Sequence, residues 1–99
     1  MAKPELFWNR EGDLKVWLSR HEDGYLLNCF KTGGTEGEYL PYKLHRASCG
    51  SFTGNNRRTG KNWTNKRFCK VCSLSADALQ RHAETKGGKR APPCQHCMR

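Results

Sequence analysis

At 99 residues the chain has room for one domain with a thin core, and 35% hydrophobic residues with three tryptophans exclude a chain disordered by composition. No run approaches the eighteen apolar residues of a membrane span, and the opening MAKPELFWNREG lacks a signal-peptide core, so a reduced, cytoplasmic setting is expected in which six cysteines read as metal ligands before disulfides. The formal charge of +9 is lopsided: residues 1–40 carry five Lys/Arg against seven Asp/Glu, and residues 41–99 carry thirteen against two, which favours nucleic acid over anionic lipid because no basic amphipathic helix accompanies the excess.

In GDLKVWLSRHEDG, the spacing of Leu14, Trp17, Leu18 and His21 predicts a short helix with Asp13 as its cap and Gly24 as its stop. YLLNCFK and GEYLPYKL, separated by TGGTEG, then predict an antiparallel hairpin. Pro41 lacks a backbone donor, so the second strand should bulge there or lie at a sheet edge. Cys29, alone in mid-strand, reads as a small buried hydrophobe. Residues 50–67 contain Arg57, Arg58, Lys61, Lys66 and Arg67 with no acid, and read as a long basic loop, either plainly disordered or there to bind. FCKVC is a short β-prone run, and SADALQRHAETKGG supplies a second helix capped by Ser75, with Ala76, Leu79 and Ala83 on one face. Pro92 and Pro93 lead a turn into Cys94 and Cys97. The expected architecture is a single α+β domain over 1–99, an antiparallel sheet and two short helices held by zinc, with a helix-and-hairpin half at 1–40 and a basic, metal-binding half at 41–99.

Three pairs have the spacing at which a turn offers two ligands to one tetrahedral zinc ion: His45 with Cys49, Cys69 with Cys72, and Cys94 with Cys97. The proline-led Cys94–Cys97 pair is the most specific. Its partner is either Cys69–Cys72, which would make an all-cysteine ribbon, or His45–Cys49. Lys70 and Val71 fit an extended strand, which would send Cys69 and Cys72 to opposite faces, whereas HRASCG at a strand end suits a compact ligand turn. His45, Cys49, Cys94 and Cys97 are therefore the favoured ligands of one Zn2+ ion.

Ser75-Ala76-Asp77-Ala78-Leu79 and Pro93-Cys94-Gln95-His96-Cys97, taken with HRASC upstream, resemble the Ada-type zinc-binding domain of bacterial DNA alkylation-repair proteins over residues 42–97. The resemblance implies a zinc-held DNA-binding scaffold. In that family the first cysteine of a Cys-x3-Cys pair accepts a methyl group from damaged DNA phosphate; His45 stands there in this chain, so the resemblance carries over metal binding and not methyl transfer. The gap before Cys94 is also longer than the family's.

Arg46, Arg57, Arg58, Lys61, Lys66 and Arg67 suit phosphate oxygens, with Lys89 and Arg90 extending the same surface. Trp63 could stack on a base or pin the loop to the core. Asp77 and Glu84 are the only acids after Tyr42, too few for acid–base or two-metal chemistry. The expected function is a non-catalytic DNA-binding or modification-recognition module of a repair, restriction or regulatory system, with no catalytic residues and no small-molecule substrate. The alternative is a protein adaptor or inhibitor that docks an acidic partner on the same basic face.

Overall fold

The computed structural model describes residues 3–48, 64 and 67–94. Four strands form one antiparallel sheet: β1 (Glu5–Phe7), β2 (Tyr25–Lys31), β3 (Tyr39–Arg46) and β4 (Phe68–Ser73), in the spatial order β1-β4-β2-β3. Helix α1 (Glu11–Arg20) follows β1 and helix α2 (Ala76–Gly87) follows β4. The fold is α+β. The order interleaves the two halves of the sequence, because β4 inserts between β1 and β2, and β3 spans the 40/41 boundary.

The two central strands read LLNC and CKVC in their middles and are buried on both faces, as strands covered from both sides require. Period-2 alternation divides their side chains. One face gathers Phe7, Leu26, Cys72, Ala47 and Cys94 around Leu14 and Leu18 of α1. The other gathers Leu27, Cys29, Cys69, Val71, Leu44 and Tyr39 around Leu79 and Ala83 of α2. These are called the α1 face and the α2 face below.

Local chemistry explains most boundaries. Ser75 is extended, and its Oγ accepts from the Ala78 amide at 3.1 Å, the N-cap that the sequence predicts. Gly88 closes α2 in the left-handed region at φ 78°, returning its amide to the Glu84 carbonyl at 2.9 Å. Helix α1 departs from expectation at its start. It begins at Glu11 with Arg10 in the cap position and no side-chain cap; Asp13 sits inside the first turn, accepting from Arg10 Nε at 3.0 Å, where its charge complements the helix dipole. Gly24 follows the helix in a turn so tight that a Cβ there would lie 2.7 Å from the Trp17 ring.

Pro41 meets both expectations. β3 lies at the sheet edge, and its register with β2 shifts between Asn28 and Cys29, which oppose Lys43 and Pro41 and so leave Tyr42 as the extra residue of a bulge. Strand β1 is the element that the sequence does not announce: three residues pairing with β4 alone, placing Phe7 opposite Lys70. Among the described residues no helix is long and apolar enough to cross a membrane.

Lys70 is the costly residue of the α1 face. Burial lowers its ammonium to about 8, against the opposing pull of Cys29, Cys69 and Glu11. Between about pH 8 and its usual 10.5, the unfolded chain keeps a proton that the folded chain has shed, so this residue's contribution to stability rises with pH across that window; below pH 8 the full cost of burying the cation remains. Lys70→Met is therefore expected to stabilise the chain by about 1–3 kcal/mol at pH 7, an advantage that fades towards pH 10.5. Urea denaturation of both proteins across that range measures the difference.

Candidate metal centre

Two of the four favoured ligands, His45 and Cys94, lie among the described residues; Cys49 and Cys97 lie outside them. The route that brings Cys94 to His45 starts in α2. Gln80 donates from Nε2 to the Ala91 carbonyl at 2.9 Å and accepts from the Ala91 amide at Oε1 at 2.8 Å, so one buried side-chain amide acts as a strand partner for the chain beyond the helix. That clamp directs Pro92–Cys94 along the free edge of β3. There the Leu44 amide donates to the Pro92 carbonyl at 3.0 Å and the Cys94 amide donates to the Leu44 carbonyl at 2.7 Å.

This short pairing is parallel, with Pro93 against Leu44. Parallel partners point to the same face, so the next residue of each segment points to the other. Leu44 belongs to the α2 face, and His45 and Cys94 therefore stand side by side on the α1 face. Both are buried. Sequence spacing suggested the pair; the Gln80 clamp that seats it carried no recognisable signal.

His45 Nε2 lies 2.9 Å from the Asn28 side-chain amide, also buried. The ring nitrogen that remains for a metal is Nδ1. Asn28 Oδ1 has no hydrogen-bond partner, and a half-turn of its amide group would set Oδ1 to accept from Nε2–H. That arrangement is the one metal-bound imidazoles use: one nitrogen for the ion, the other held by a carbonyl oxygen. An imidazole and a thiol side by side and buried, with a side-chain amide behind the imidazole, are donor types that a tetrahedral zinc site uses. Asn28→Leu should then weaken zinc binding about 10- to 100-fold without loss of fold, measured by competition with a chromophoric chelator.

The competing ribbon is disfavoured by the sheet. Cys69 and Cys72 lie three residues apart on β4 and enter different cores: Cys69 packs with Cys29 and Leu79, and Cys72 with Phe7, Leu14 and Cys94. Burial, followed by the charge of Glu5, raises the Cys72 thiol and keeps it protonated. Cys29 and Cys69 face each other across β2 and β4; burial and then Cys69 raise the Cys29 thiol, whereas the hydrogen bond from Cys29 lowers that of Cys69. Among the described residues no three His, Cys, Asp or Glu side chains cluster.

The other described histidines, His21 and His82, do not join His45; His96 lies outside the described residues. His21 caps the end of α1, its ring 4.7 Å from that of Trp17. His82 lies across the sheet, where its Nε2 meets the Tyr39 hydroxyl at 2.6 Å. Burial and then Lys86 lower it.

Of the residues assigned to nucleic acid, Arg46 and Arg67 are described and exposed, as are Lys89 and Arg90. Arg57, Arg58, Lys61, Trp63 and Lys66 lie outside the described residues. Thr64 ties the end of that basic segment to the start of α1, donating from its amide and hydroxyl to Glu11 Oε1 at 2.8 and 3.1 Å.

No protein-family model, curated protein or solved structure matches this chain.

Proposed function

We propose that the chain is a zinc-stabilised, non-catalytic module that binds DNA through its basic C-terminal half, on the pattern of the Ada-type domain that residues 42–97 resemble. The observation that carries the metal assignment is the parallel Leu44–Pro93 pairing, which sets His45 and Cys94 on one face of the sheet. Cys49 follows His45 by four residues and Cys97 follows Cys94 by three, so each described ligand brings a second within one turn of chain. Zinc bound by these four would cross-link the end of β3 to the C-terminal segment. His45 in place of a nucleophilic cysteine makes this a holder of DNA and not an acceptor of its methyl groups.

Charge supports the partner. The surplus of eleven cations over residues 41–99 belongs to the same half as the ligands, and Arg46 sits between His45 and Cys49. Binding to duplex DNA should fall steeply with salt, each phosphate contact adding about 0.9 to the slope of log affinity against log salt. Arg46→Ala should reduce that slope by about one, read by fluorescence anisotropy at several salt concentrations. Undetectable binding even at low salt would instead favour an acidic protein as the partner of the basic face.

A further inference from the structure

The α1 face changes character along its length. Towards Leu26 and Cys72 it lies under α1; towards Phe30 and Phe68 neither helix covers it among the described residues. Phe30 is 46% exposed although it stands on a central strand directly opposite Phe68, where a large aromatic ring ordinarily lies under a second layer.

The bulge in β3 enlarges this patch. Tyr42, the residue it leaves out of register, stacks on Phe30 with centroids 4.2 Å apart and ring planes at 23°, and the Phe68 ring lies 5.3 Å from that of Phe30 and 6.4 Å from that of Tyr42. Bulges re-aim side chains, and this one adds a third ring to one face. The surroundings are cationic. Lys43, half-buried, follows Tyr42 opposite Asn28, exposed Arg67 precedes Phe68, and the buried Lys70 lies beneath with its Nζ 5.7 Å from the Phe68 centroid.

We infer that Phe30, Tyr42 and Phe68 form a sheet-borne stacking platform for the unpaired bases of a single-stranded nucleic acid, with Lys43 and Arg67 placed for its phosphates. Flat rings accept any base by its face, and flanking cations track the backbone; that combination suits a single strand and offers nothing to a base pair closed in a duplex. This inference rests on the nucleic-acid reading above and narrows it.

The test uses the zinc-loaded full chain and three fluorescein-labelled probes: a short oligothymidylate, the same backbone with abasic sites, and a duplex. Wild-type protein should bind the oligothymidylate about 5- to 100-fold more tightly than the abasic strand. Phe30→Leu and Tyr42→Leu, which keep apolar bulk, should each remove most of that preference while leaving abasic and duplex affinity within about twofold. Because each variant is compared with itself on bases and without them, partial loss of folded protein cancels. Equal wild-type affinity for the thymidine and abasic strands, or a preference untouched in both variants, overturns the platform while duplex binding upholds the broader reading. Binding to none of the three probes overturns both.

Discussion

Cys94→Ser is expected to abolish stoichiometric zinc and with it the cooperative fold, whereas Cys69→Ser should retain one ion per chain. Structural zinc sites in small domains contribute about 10–16 kcal/mol of apparent binding free energy, as large as the whole stability of an ordinary domain at about 5–15 kcal/mol. A 99-residue chain whose core is split into two thin clusters by a single sheet has little to offset such a loss. Cys94 holds its place by a 2.7 Å hydrogen bond that its amide donates to the Leu44 carbonyl, and removal of the ion would leave that bond, the Gln80 clamp and the Pro93 contact to keep the last segment on the edge of β3. His45→Ala should behave as Cys94→Ser does. Metal content by atomic emission and far-ultraviolet circular dichroism, with and without chelator, measure both. Zinc lost from Cys69→Ser and kept in His45→Ala would establish the ribbon instead, and a chain that stays folded without metal in chelator would remove zinc from the account of stability.

The sequence disclosed this architecture wherever one residue's chemistry decides the local conformation. Ser75 caps α2 because its hydroxyl competes well for a helix amide, and Pro41 had to lie at an edge or a bulge because it has no amide to give. The separation of Cys69 from Cys72 followed from strand periodicity alone, once Val71 and Phe68 marked the run as extended. What stayed hidden depends on partners distant in the chain. Glu5–Phe7 is too short to show a period, and becomes a strand only because β4 presents an open edge to it. Asn28 looks like any polar residue in a strand until β3 brings His45 to its side chain, seventeen positions away. Gln80 on α2 is likewise a good helix former with no other mark, and its role appears only where the chain doubles back past Ala91.

Phe7→Ala should cost about 3–5 kcal/mol, enough to lower Tm by more than about 10 °C, even with zinc bound. Phe7 is the side chain by which β1 enters the core on the α1 face: 1% exposed, it packs with Leu14 and Leu18 of α1 and with Cys72 and Cys94 from the other end of the chain. Nothing in a three-residue edge strand can collapse into the space its ring would leave, because Leu6 faces the opposite core and Glu5 is exposed. Val16→Ala on α1 is the matched control, since Val16 is 50% exposed and its truncation should stay within about 0.5 kcal/mol. The shared cluster of Phe7 and Cys94 adds a second readout. If core and metal support the same segment, Phe7→Ala should surrender zinc to a given chelator faster than wild type, while Val16→Ala should not; equal release rates in all three would mean that the ion is held by its own loops, independently of the packing beneath them.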